Sequence, residues 1–292
     1  MGGAAGHLVA GLLLGLAGAI TGYRAIAEAV RRQRRSSLSS DVAMPPDVDL
    51  QQHVVVRAPM LQKAAIAVVV IAIMCEEVNN NLRHIPIEHT RPHSYLYGSH
   101  AWACAVAYAE TRGVVPFTAS TWALAGSQLI TSVIWYFHSN AQYARAKEEG
   151  TREPPNEGTS EGMWHQCTYY VTGIAGIFLV ATACAQIAGS PKFQLVAVVG
   201  WTYFLLLHGL LMFSIGCFYY DPSRPFDAAS RPEFRPYMVM SYFAGNIMFA
   251  ATVFLGVYHY ERKRRGGGSS HYAAVPVVAN PMFEPLGATA NR

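Results

Sequence analysis

A chain of 292 residues that is 52% hydrophobic and only 14% charged stands far from the composition of soluble domains and excludes an ordinary soluble globular protein. Its net charge of +4 calls for no nucleic-acid partner, because membrane topology explains where the basic residues fall, with attraction to anionic cytosolic lipid as a minor addition. The chain holds no P-loop, no G-x-G-x-x-G and no internal repeat, so nucleotide-binding and repeat architectures have no support.

The apolar residues gather in seven blocks, near 6–26, 63–82, 97–115, 117–138, 164–188, 193–217 and 237–260. Each is roughly 19 to 25 residues long, and at about 1.5 Å per residue each matches a hydrocarbon core of about 30 Å. The predicted fold is therefore an all-α integral membrane protein, a bundle of seven transmembrane helices over residues 1–265. The first block is preceded by Met1 to Gly6, without Lys or Arg, and followed by Arg24, Arg31, Arg32, Arg34 and Arg35. That order predicts a retained helix with a translocated amino terminus, not a cleaved signal peptide. From Arg34 to Met60 the chain reads as a polar, flexible cytosolic loop with SSLSSD and MPPD. The second block is apolar around its whole circumference from Ala64 to Ile73 and carries Cys75, Glu76 and Glu77 close to its outer end.

Blocks three and four join through RGVVP, and five and six through AGSPK, connections short enough to force antiparallel neighbours. The outer connections are read as longer: Arg83 to Leu96 with His84, His89 and His93, an acidic Ser139 to Met163, and Phe218 to Pro236. The seventh block leaves through ERKRR into GGGSSHYAAV, which predicts a disordered cytosolic tail over 266–292. Basic clusters after blocks one and seven place the amino terminus outside or in a lumen and the carboxyl terminus in the cytosol. The five cysteines form no C-x-x-C pair, which removes zinc-ribbon and redox motifs. Cys75, Cys167 and Cys217 fall toward the outer side, where a disulfide is permitted; buried thiols are the simpler expectation.

With this topology, every block except the last carries a His or Glu in its outer half: His7, Glu76 with Glu77, His100, His138, His165 and His208. Ionisable groups inside spans are costly and mark a bundle interior or a water-filled cavity. Three readings follow from the same residues. They form a satisfied hydrogen-bonding layer, helped at the interface by Trp102, Trp135, Tyr136, Trp164, Tyr169 and Tyr170. Alternatively they bind an amphiphile or relay protons. As a third reading, Glu77, His100, His138 and His208 hold zinc and activate water against a lipid. No H-x-x-x-H or H-E-x-x-H places two ligands on one helix face, so no catalytic residue is assigned. Gly11, Gly15 and Gly18, and Gly173 with Gly176, provide for close helix approach, within the bundle before any dimer.

Short motifs carry a family resemblance. GHLVAG at Gly6–Gly11, MCEEV at Met74–Val78, GSH at Gly98–His100, WYFHSN at Trp135–Asn140, HGLLMFSIG at His208–Gly216 and the ERKRRGGG exit resemble, in order and spacing, the transmembrane protein 45 family, also called domain of unknown function 716. The resemblance runs from Gly6 to about Arg265. It departs at the polar positions: Ser139 or Asn140 stands where the family has a second His, Thr131 near a family Glu, His208 in place of a Gln, and an apolar residue near Met240 in place of a His. It implies an integral protein of secretory-pathway, endolysosomal or surface membranes and no established reaction. The leading functional expectation is a non-enzymatic membrane protein that binds a small amphiphile or a protein partner in trafficking or membrane organisation. The alternatives are a metal-dependent intramembrane lipid hydrolase, similar in broad architecture to the seven-helix alkaline ceramidases and adiponectin receptors but without their paired histidines in helix 7, and a receptor or transporter.

Overall fold

The computed structural model describes residues 4–38, 87–149, 157–219 and 235–266. The second predicted span at 63–82, with Cys75, Glu76 and Glu77, and the predicted tail beyond Gly266 lie outside the described residues. Six long helices account for almost all of what is described: α1 Ala4–Leu38, α2 Ile87–Thr111, α3 Ala119–Glu149, α4 Glu157–Ile187, α5 Pro191–Ser214 and α6 Arg235–Gly266. A π-helical turn, Ile215–Tyr219, continues α5. No strand occurs among the described residues.

Apolarity marks what lies in lipid, whereas a helix runs on for as long as its residues favour it. The helices accordingly outrun their apolar blocks. Ala, Glu, Gln and Arg carry α1 on to Leu38, and AQYARAKEE carries α3 to Glu149. Two expected connections are corrected by this. The stretch from Arg83 to Leu96 is already helical from Ile87, His89 and His93 included, and the acidic segment 139–163 is helical at all its described residues, 139–149 and 157–163. The short turns are as expected: Gly113 at φ +70 ends α2, and Gly189 at φ +61 separates α4 from α5, both in the left-handed region that glycine enters without a Cβ clash.

Helices α2, α3, α4, α5 and α1 pack side by side in that order, and α6 lies across α1, α5 and α4. Four of them contain a segment long and apolar enough to cross a membrane: His7–Gln33, Gly162–Ile187, Lys192–Cys217 and Tyr237–Arg265. Helices α2 and α3 fall short because of their polar residues, and in α3 those residues face inward. Ser127, Gln128, Thr131 and Ser132 are buried while Leu129, Ile130, Val133 and Phe137 are exposed, Phe137 by 65%. A soluble helix would invert that arrangement. Exposed Leu12, Leu13, Leu16, Ile177, Met248, Phe249 and Leu255 extend the apolar exterior to the other helices, an exterior suited to lipid and not to water. This is a membrane protein.

Buried hydroxyls are handled locally. Thr131, Thr168, Thr172 and Thr202 each donate to a carbonyl one turn back, at 2.8 to 3.0 Å, and Thr21 does the same to Ala17, which satisfies each donor within its own helix. Other polar groups join helices: Ser99 with Ser127 at 3.2 Å, Ser132 to the Tyr169 carbonyl at 3.0 Å, Ser139 to the Gly162 carbonyl at 2.8 Å and Asn246 to Ser214 at 3.0 Å. Such bonds in membranes are worth about 0.6 kcal/mol on average. A double-mutant cycle on Ser214→Ala and Asn246→Leu, read by thermal unfolding in detergent, is expected to return a coupling of about that size.

The tightest joint is between α1 and α5. A Cβ on Gly11 would lie 2.8 Å from the Gly209 carbonyl oxygen, and one on Gly18 would lie 2.7 Å from Leu206 Cα. One on Gly209 would overlap the backbone nitrogen of Gly15. The glycine series of the first block is thus spent within the bundle. Gly176 has a similar task in α4, where a Cβ would meet the Leu129 side chain at 2.7 Å. Cys104, Cys167, Cys184 and Cys217 carry free thiols, so the permitted disulfide does not link Cys167 to Cys217.

Candidate functional site

Helix register places the interior polar groups. Ser132 meets Tyr169 and Gly173 across α3 and α4, and Phe178 meets Gly200 and Phe204 across α4 and α5. Antiparallel packing then sets His208 about level with Thr172 and Thr131. On α2 and α3, Ser99 faces Ser127 and His100 faces Gln128, so His100 reaches the same layer. The centre of the bundle thus contains His100, Gln128 and His208 beside the self-satisfied threonines.

The hydrogen bonds in this layer fix its chemistry. His100 Nδ1 lies 2.8 Å from the Leu96 carbonyl oxygen, which only accepts, so Nδ1 donates. In the neutral ring Nε2 is then an acceptor. Gln128 Nε2, 3.4 Å away, donates to it, which orients the amide and turns Gln128 Oε1 away from the ring. That carbonyl oxygen is buried and has no partner among the described residues, and neither has His208 Nδ1. Their side chains are only 2% and 3% exposed. An acceptor and an imidazole nitrogen therefore stand open in an interior where an unmade hydrogen bond costs about 1–3 kcal/mol.

His138 and His165 form a second locus, about two turns nearer the end of the bundle where α3 passes into α4. His165, buried, stacks on Trp135 at 4.8 Å with rings 14° apart. His138 meets the His165 ring edge-on at 4.5 Å. Nearby Trp164 is fully buried and stacks on Tyr242 at 6.3 Å; the indole Nε1 atoms of Trp135 and Trp164 are buried without partners among the described residues. His7 is buried near the start of α1. The single predicted layer thus resolves into two groups, His100 with His208 and His138 with His165. Glu76 and Glu77 lie outside the described residues. Among the described residues no three His, Cys, Asp or Glu side chains gather as a metal site.

Gln128 is missing from the predicted layer, which takes in ionisable residues alone. A glutamine amide in an apolar span is as informative as an imidazole, since both need partners there. Glu261 is a second residue that the sequence hides. It is fully buried and accepts from Tyr23 at 2.7 Å and from Arg265 at 2.8 Å, tying the carboxyl end of α6 to α1. Its place in a basic run conceals it.

Comparison of the chain with protein-family models, curated proteins and solved structures gives no match.

Proposed function

We propose that the chain is a seven-span, multi-pass protein related to the transmembrane protein 45 family, with its amino terminus outside or lumenal and its carboxyl terminus cytosolic, and that its role is non-enzymatic: it holds a small amphiphile by its polar head at the His100–Gln128–His208 layer. The observation that carries this reading is the pair of atoms unpartnered among the described residues, Gln128 Oε1 and His208 Nδ1, buried at one level of the bundle. Buried polar atoms in native proteins almost always have partners. Because Gln128 Oε1 can only accept, the head group must donate a hydrogen bond through a hydroxyl, amide or amine. The orientation is supported by Arg24, Arg31 and Arg32 on α1, Arg262 to Arg265 on α6, Arg112 after α2 and Lys192 on α5, which share one end of the bundle.

Native mass spectrometry of protein extracted in mild detergent tests the binding. The expected result is a retained amphiphile with a donor-bearing head, lost in Gln128→Leu. The bare chain mass in wild-type protein overturns the reading, and stoichiometric zinc in the same spectrum replaces it with the hydrolase. A reporter fused to the carboxyl terminus is expected on the cytosolic side, and a lumenal signal reverses the orientation.

A further inference from the structure

At the end of the bundle where α1 and α6 terminate, the described carboxylates are all turned to structural tasks. Glu28 is buried and pairs with Arg31 at 2.9 Å and Arg32 at 3.1 Å. Glu261 is buried beneath Tyr23, Arg264 and Arg265. Glu110 accepts the Ser120 backbone N–H at 2.7 Å, capping the first turn of α3 where an anion suits the helix dipole. What remains facing outward among the described residues is positive: Arg24, Arg112, Lys192, Arg262 and Lys263 are all exposed.

These groups sit at a definable depth. Exposed Tyr23 and Tyr260 lie beside them, and tyrosine at the end of a span marks the headgroup level. The π turn and α5 together run from Pro191 to Tyr219, about 43 Å at 1.5 Å per residue, which is the full thickness of a bilayer with its headgroups. The exposed cations gather toward one end of that length, on α6, the start of α5 and the turn after α2, with Arg24 about two turns farther in on α1, from where a long side chain reaches out to the headgroups. Arg262, Lys263 and Arg264 are consecutive and so point to different sides of α6.

We propose that this end of the protein is a selective surface for anionic phospholipid, recruiting lipids with a net negative headgroup into the layer that touches the bundle. The occupant is bilayer lipid and not a soluble phosphate, because the cations surround the helices at headgroup depth and do not converge on one cleft. The buried carboxylates make the surface one-signed: they neutralise Arg31, Arg32, Arg264 and Arg265 from below and leave Arg24, Arg112, Lys192, Arg262 and Lys263 without a carboxylate partner among the described residues. This inference needs the membrane location alone and does not depend on the amphiphile site.

The test is electron spin resonance of the full chain reconstituted in phosphatidylcholine bilayers with a trace of spin-labelled lipid. The motionally restricted fraction is expected to favour spin-labelled phosphatidylserine over phosphatidylcholine by about fivefold at low salt, the scale of one basic residue at a membrane surface. The preference is expected to fall toward unity in Arg24→Gln/Arg262→Gln/Lys263→Gln, whose side chains are exposed, and in 1 M salt, where screening shortens to about 3 Å. Equal association of the two lipids with wild-type protein overturns the proposal. A preference that survives the triple substitution with unchanged circular dichroism also overturns it.

Discussion

Replacing Gly209 with alanine is expected to lower the unfolding temperature of the detergent-solubilised protein by about 5–10 °C, read from tryptophan fluorescence. The new methyl group would overlap the backbone nitrogen of Gly15 and stand 2.8 Å from the Gly11 carbonyl oxygen. A backbone atom in a helix cannot swing aside as the end of a side chain can, so α1 and α5 must separate over several turns. Overpacking of this kind costs about 1–3 kcal/mol, a large part of a total stability of about 5–15 kcal/mol. The intrinsic preference for alanine in a helix, up to about 1 kcal/mol, opposes the loss but does not cancel it. Gly256 supplies the control: it lies in α6, and a Cβ added there would have nothing within 4 Å, so Gly256→Ala is expected to be neutral or slightly stabilising. Equal effects at the two sites would mean that α1 and α5 are not in contact through their glycines. Gly11→Ala strains the same joint, so its effect and that of Gly209→Ala are expected to combine less than additively.

The membrane class and most helix positions were legible because lipid imposes a length and an apolar exterior that composition records directly. The ends were not. Residues 27–38 of α1 and 139–149 of α3 are largely polar, and only their helix propensity, which apolarity does not measure, continues the helix. The close approach of the Gly11–Gly18 stretch was legible in kind, since small residues at those spacings have few other uses in a span. Its partner was less plain: Gly209 has Leu205 and Phe213 four positions to either side, and only Gly216, seven positions on, repeats the small-residue spacing. Within the candidate site, His100 and His208 were legible as costly residues, whereas their division from His138 and His165 depends on helix register. Register follows from Ser132 meeting Tyr169 and from Phe178 meeting Gly200, and such pairings have no local signature. Glu28 and Glu261 illustrate a related limit. In the sequence each is one acid among bases; in the fold each is buried and holds two arginines.

The substitution His208→Leu gives the sharpest outcome, because its sign depends on whether the interior site is filled. With the site empty, the native protein carries a buried imidazole whose Nδ1 has no partner among the described residues, and leucine removes that liability while filling a similar space. Protein stripped by extended detergent exchange is therefore expected to gain about 1–3 kcal/mol, or a rise of several degrees in unfolding temperature. With an amphiphile bound, the same imidazole is a partner to the head group, and the wild-type protein gains stability from the bound state by mass action, about 2.7 kcal/mol at a ligand concentration one hundred times its dissociation constant. The variant forgoes that gain. Protein extracted gently is thus expected to be less stable as His208→Leu than as wild type, and the order is expected to reverse after stripping. Gln128→Leu distinguishes the site from a simple change in core polarity. It removes one unpartnered atom, Oε1, but also the donor to His100 Nε2, so in stripped protein the two effects oppose and little net gain is expected. A crossing of wild type and His208→Leu between the two preparations, with Gln128→Leu failing to gain on stripping, is the signature of a ligand held at this layer; parallel shifts in both preparations would instead place the imidazole in a purely structural role.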